Sequence, residues 1–172
     1  MPFREDVFGA NHSFERAITA DFVLFMKRWE GWRPTRYPDG KRADGSIVYS
    51  ICYGHKEDGD NPPFKITEDM KFTEEEGTSI LVNDIKRQAH YINVRVKAKL
   101  TTFQFEALTS LCFQYGLGRL DKTGIFAHIN SGDYDGAADL MLDLYKTQAG
   151  KPLRGLRFRR AAEVTWFITK KD

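Results

Sequence analysis

Three side chains in the sequence have types and spacings suited to acid–base chemistry: Glu30, Asp39 and Ser50. Glu30 ends an apolar-periodic stretch and precedes Gly31, which places it in the last turn of an expected helix. A carboxylate there faces the negative end of the helix macrodipole, and Trp29 and Trp32 could supply apolar walls. Both features favour the protonated carboxyl, the form a general acid must hold at neutral pH. An exposed glutamate tolerated at a helix end fits the same position, so a general acid there needs a chemical partner.

The following segment supplies one. Asp39-Gly40, Asp44-Gly45 and Asp58-Gly59 punctuate it, and Asp-Gly is a hairpin signal. If Asp44-Gly45 forms the centre of a type I′ turn, Ala43 pairs with Ser46, Lys41 with Val48, and Asp39 lies directly opposite Ser50. Directly opposed residues share a face with Cβ atoms about 4.5–5.5 Å apart. A carboxylate and a hydroxyl so placed can hold one water between them. A general acid facing such a pair is the equipment of an inverting glycosidase, whose two carboxyls stand roughly 6.5–9.5 Å apart. Asp44 competes with Asp39 for the basic role because it is nearer Ser50 in sequence, but Asp-Gly chemistry assigns it to the turn.

The elements that must position these groups can be read from periodicity. Phe14, Ile18, Phe22, Phe25 and Trp29 recur at helical spacing, predicting a helix over 13–30. Ile47, Tyr49, Ile51 and Tyr53 alternate with Ser46, Val48, Ser50 and Cys52, as in a strand. After Pro62-Pro63 the signals turn helical. Thr73 and Glu76 form a capping box opening a long helix marked by Leu81, Ile85, Ala89, Ile92 and Val96. A second box at Thr101 and Gln104 opens an apolar helix with Phe105, Leu108, Leu111 and Cys112. Further helices are expected near 121–130, 133–146 and 156–168. The pattern is α+β, with a small antiparallel sheet at one end.

Composition bounds the remainder. With 41% hydrophobic and 29% charged residues, 172 residues suffice for one soluble domain that needs no disulfide or metal. Cys52 and Cys112 lie in apolar runs and read as buried free thiols. His12, His55, His90 and His128 show no ligand spacing, and Glu57 to Asn61 lacks the oxygen spacing of a calcium loop. No metal, cofactor or nucleic-acid partner is expected. Nothing approaches a membrane span, and the first residues carry no signal-peptide core. Arg154, Arg157, Arg159, Arg160, Lys170 and Lys171 gather late, as a patch for an anionic polymer or a solvated helix face.

Several motifs together resemble one family. Trp29-Glu30-Gly31-Trp32-Arg33, Tyr37-Pro38-Asp39-Gly40 and Ser50-Ile51-Cys52-Tyr53-Gly54-His55 resemble the active-site signature of phage-type lysozymes, glycoside hydrolase family 24. Thr73 to Ile85, Leu100 to Gly116 and Gly155 to Glu163 resemble that family's connecting, central and closing helices. The resemblance implies a single two-lobed muramidase domain. Its sheet lobe would span about 13–72, its connecting helix about 73–97 and its helical lobe about 98–172, with a cleft between the lobes. It implies Glu30 as proton donor to the β-1,4 bond between N-acetylmuramic acid and N-acetylglucosamine, with Asp39 and Ser50 orienting water. Phe113 and Gln114 would line the sugar cleft, Arg159 or Arg160 would face Glu30, and His55 would tie the sheet together. The expected partner is bacterial peptidoglycan, met by a monomer made in a host cytoplasm and released through holin holes or carried in a virion. Ser50 replaces the family's usual threonine, Gln114 its usual asparagine, and the hairpin is about five residues longer, with Lys41 and Arg42 near its tip. The longer hairpin and Ser50 suggest one alternative, an inactive wall- or protein-binding module; a second is a lytic transglycosylase that needs only the acid, against which the retained Asp39 and Ser50 speak.

Overall fold

The computed structural model describes residues 18–56, 64–145 and 153–169. The chain order is α1 (Ala20–Glu30), β1 (Arg33–Lys41), β2 (Ile47–Cys52), β3 (His55–Lys56), α2 (Glu74–Arg95), α3 (Thr102–Tyr115), α4 (Leu117–Leu120), a 3-10 turn (Asp121–Thr123), α5 (Ile125–Asn130), α6 (Tyr134–Asp143) and α7 (Arg154–Ile168). This is an α+β fold whose only described sheet is three-stranded and antiparallel, in the order β1-β2-β3.

The first helix begins later than periodicity predicted. Thr19 caps it by accepting from the Phe22 N–H at 3.2 Å. Thr19 is itself held by the fully buried Glu106, whose Oε1 accepts from its backbone N–H at 2.8 Å and its hydroxyl at 2.7 Å. Ile18 continues the apolar spacing outside the helix and packs there, while Phe14 lies outside the described residues. Gly31 ends the helix at φ +69°, a conformation an L side chain would strain.

Both capping boxes form. Thr73 and Glu76 open α2, and Thr101 and Gln104 open α3. Every residue of α3 from Phe105 to Cys112 is buried, so this helix is the centre of the helical core instead of an amphipathic wall. Around it pack Ile92, Leu120, Ile125, Ile129, Met141 and Phe167. Nearer the start of α2, Leu81 and Ile85 join Phe22, Met26 and Tyr53, so one long helix serves both ends of the molecule. The expected helix over 121–130 is divided at Gly124, φ +81°, into the 3-10 turn and α5.

The hairpin register differs from the expected one. Lys41 faces Ile47, Pro38 faces Tyr49, and Tyr37, not Asp39, faces Ser50. At the tip Arg42 N–H donates to Ser46 O and Gly45 N–H to Arg42 O, leaving a three-residue loop with Gly45 at φ +84°. Such a tip is a type I turn closed by a left-handed glycine, in place of the two-residue turn assumed from Asp-Gly. A bulge between Pro38 and Lys41 then sets Asp39 and Gly40 against Val48. Nor does burial alternate as predicted: Ile47 is exposed, and Ser50 through Tyr53 are all buried.

Both cysteines are free and buried, as expected. Burial pushes the Cys52 thiol up to about 11 and the Cys112 thiol to about 12. The segment from Glu57 to Asn61 lies outside the described residues, as do Lys170 and Lys171. No described helix is long and apolar enough to cross a membrane.

Candidate active site

The end of α1 and the first two strands bring Glu30, Tyr37, Asp39 and Ser50 into one neighbourhood. Glu30 is 16% exposed, and its Oε1 accepts from Arg159 Nη1 of α7 at 2.7 Å. Its Oε2 lies on the sheet side, 3.5 Å from where a Cβ on Gly54 would stand. The same Cβ position is 4.0 Å from the Tyr37 hydroxyl, so both groups lie over the Gly54 turn. The described ring contacts of Trp29 and Trp32 are with Phe25 and Tyr53, and the group facing Glu30 is a cation.

Asp39 and Ser50 do meet. Ser50 Oγ donates to Asp39 Oδ2 at 2.7 Å, although the two residues are diagonal across the strands and not directly opposed. Diagonal neighbours on one face are still within reach of each other. Tyr37, the strand partner of Ser50, projects to the same face. Burial, then the negative charge of Asp39, pushes the Tyr37 phenol above its ordinary value. Glu30 adds to the shift, while Ser50 and Arg33 oppose it. Tyr37 is thus within electrostatic reach of both carboxylates. On β3, Lys56 stands opposite Ser50 and places Nζ 3.2 Å from Asp39 Oδ2. Asp44 is spent on the turn, as expected: its Oδ1 accepts from Ser46 N–H at 2.9 Å and Ser46 Oγ at 2.7 Å.

The late arginines are not one surface patch. Arg159 and Arg160 are buried; Arg154 and Arg157 are exposed and lie over Phe158 and Tyr145. Of the two arginines left open by sequence, Arg159 takes Glu30. Arg160 instead gives Nη2 to Gln114 Oε1 at 2.7 Å. Phe113, next to Gln114 at the end of α3, packs partly buried against the Phe22–Leu81 cluster. His55 ties the sheet to α2: its Nδ1 pairs with Asp84 Oδ2 at 2.8 Å, and Arg87 holds the other Asp84 oxygen at 2.6 Å.

Sequence reasoning gave no role to Tyr37, Lys56, Asp84, Ser110 or Glu163. Glu163 alone carried a usable signal, lying three and four residues after two arginines on one helix, a spacing that brings side chains together. Lys56 becomes visible only through strand register, which also places Tyr37, named in the active-site signature without a role, opposite Ser50.

A family profile described as Phage lysozyme matches residues 27–163. An endolysin of Bacillus phage B103 is 31% identical over 147 residues, covering 86% of this chain and 52% of that protein. An endolysin of Acyrthosiphon pisum secondary endosymbiont phage 1 is 30% identical over 156 residues, covering 87% of this chain and 97% of its own. The chain therefore spans about half the length of the first relative and nearly all of the second. Among solved structures, the muramidase domain of SpmX from Asticaccaulis excentricus aligns with a TM-score of 0.76 at 28% identity, covering 90% of this chain and 99% of that one. A point mutant of P22 lysozyme aligns with a TM-score of 0.72 at 26% identity, covering 88% and 98%.

Proposed function

This chain belongs to the phage lysozyme family, and we propose that it hydrolyses the β-1,4 bond between N-acetylmuramic acid and N-acetylglucosamine in bacterial peptidoglycan, with inversion. The observation that carries this reading is the Asp39–Ser50 hydrogen bond on the sheet, beside a Glu30 carboxyl held from the helical side. Cleavage by an acid alone would have no use for a water-holding pair. That favours hydrolysis over transglycosylation.

The residues divide the work as follows. Arg159 fixes Oε1 of Glu30, and the protonated carboxyl gives its proton to the leaving glycosidic oxygen. Because Ser50 Oγ donates to Asp39, its lone pairs are left to accept from a water. That water gives its second hydrogen to Asp39 as its oxygen bonds to the anomeric carbon. One water is consumed, Glu30 ends ionised and Asp39 protonated, and solvent restores both. Lys56 and Ser50 share Oδ2 of Asp39, which leaves Oδ1 for the water. No cofactor enters this scheme. Gln114 and Phe113 are assigned to sugar binding, while His55 holds β3 against α2. The acting unit is a monomer and one domain, made in a host cytoplasm. It reaches the wall through holin holes or from a virion.

Purified protein incubated with peptidoglycan should release new reducing ends. Glu30→Gln should lower that rate by about 10²–10⁴-fold. Folded wild-type protein that releases none would refute the proposal and favour a module that only binds the wall.

A further inference from the structure

Glu163 has no place in the scheme above, yet the arginines that hold Glu30 and Gln114 meet at it. Its side chain is fully buried, and a buried carboxylate is strongly unfavourable unless charges and hydrogen bonds surround it. Here Ser110 Oγ donates to Oε1 at 2.6 Å, Arg159 Nε donates to Oε1 at 3.0 Å, and Arg160 Nη1 donates to Oε2. Each arginine then uses another nitrogen elsewhere: Arg159 Nη1 reaches Glu30, and Arg160 Nη2 reaches Gln114. Adjacent residues on a helix point about 100° apart, so the two guanidiniums diverge while a residue three and four positions later touches both. A guanidinium is planar and rigid, and fixing one of its nitrogens fixes the direction of the rest. Arg160 Nε has no described partner, so that fork is held by its two terminal nitrogens alone.

We propose that Glu163 is a shared positioning residue, which orients the Glu30 carboxyl through Arg159 and the Gln114 amide through Arg160. The inference rests on the proposed roles of Glu30 and Gln114. It adds that proton donation and sugar binding depend on one buried counter-ion. Once Glu30 has given up its proton, the set of two carboxylates and two guanidiniums is neutral. Removing Glu163 leaves two buried cations with only Glu30 between them, and both forks turn.

The test is steady-state cleavage of soluble, uncrosslinked peptidoglycan chains, expressed per folded molecule from circular-dichroism melting curves. Glu163→Gln should lower kcat about 10- to 100-fold and raise KM about 5- to 10-fold. Gln114→Ala should raise KM alone. Combining the two should raise KM no more than about twofold beyond Glu163→Gln, because Gln114 is already misaligned. Independent KM effects that multiply in the double variant would overturn the inference. So would wild-type constants in folded Glu163→Gln. If that variant does not fold, Ser110→Ala and Arg160→Met divide the question. Ser110→Ala removes an Arg159 and Glu163 partner without stranding a charge, and should lower kcat with KM unchanged. Arg160→Met should raise KM at least as much as Gln114→Ala and also lower kcat, because Glu163 loses one of its two cations. Any other split contradicts the shared role. A wild-type protein that cuts nothing contradicts the proposed function as well; normal cutting with unaltered variants contradicts this inference alone.

Discussion

The two sides of the candidate site are built by different physics. On the helical side, Glu30 is held by Arg159, 129 residues away in sequence, and by a chain of buried charges behind it. On the sheet side, Asp39 is held by Ser50 on the adjacent strand and Lys56 on the strand beyond it, and stands 37% exposed beside a lysine that is 49% exposed. Buried ion networks give fixed geometry and break expensively; half-exposed pairs on a ribbon are screened by water and give way cheaply. A proton donor to a bound sugar needs a fixed direction. A base acting through water needs room for the water.

The largest expected effects treat the two sides as equals in chemistry. Beside the loss set out for Glu30→Gln, Asp39→Asn should lower peptidoglycan cleavage by about 10²-fold or more, and Asp44→Asn should leave it nearly unchanged. Reversal of the two aspartates would mean that the base is the turn residue. In stability the sides should part. Arg159→Met strands buried carboxylate and should cost about 3–5 kcal/mol in denaturant unfolding, against about 0–1 kcal/mol for Lys56→Met. Equal losses would erase the comparison.

A smaller stability effect tests how the sheet docks on α2. A Cβ on Gly77 would come 2.1 Å from the Trp32 ring, so Gly77→Ala should destabilise by about 1–3 kcal/mol, read from the same unfolding curves. A further effect, confined to alkaline pH, uses the two thiols. Both are raised by burial, so the folded state keeps protons that the unfolded state releases above about pH 9. Their contribution is fully present below that pH and is lost as pH rises through about 11 for Cys52 and about 12 for Cys112. Denaturant midpoints should fall across that window, and fall less steeply in a variant with both replaced by alanine, where the raised phenols of Tyr37 and Tyr53 still titrate. In native protein, Cys52, in the small Ile51–Ile66 cluster, should react with a thiol reagent before Cys112 in the large helical core.

How legible this was depended on which symmetry an error preserved. The type I′ turn was wrong, yet the Asp39–Ser50 pair survived. The true partner of Ser50 is Tyr37, and a displacement of two along a strand keeps the same face. A displacement of one would have turned Asp39 away. The added residue at Gly40, φ +116°, is a bulge that Asp-Gly patterning cannot distinguish from a turn. Capping boxes were read correctly because their partners lie three residues apart and the chemistry is local. The start of α1 was misread because Thr19 ends the helix while Ile18 keeps the apolar spacing beyond it. Lys56 and the division of labour between Arg159 and Arg160 depend on which elements pack together, information that no window of sequence holds.

The most direct measurement is mass spectrometry of the fragments released from peptidoglycan in ¹⁸O-labelled water. If a carboxyl at the end of α1 works against a water held by Asp39 and Ser50, each new muramic acid end is hydrated and carries the label. Unlabelled anhydro ends would show that the sheet-side pair holds no attacking water, and the account would be wrong at its centre.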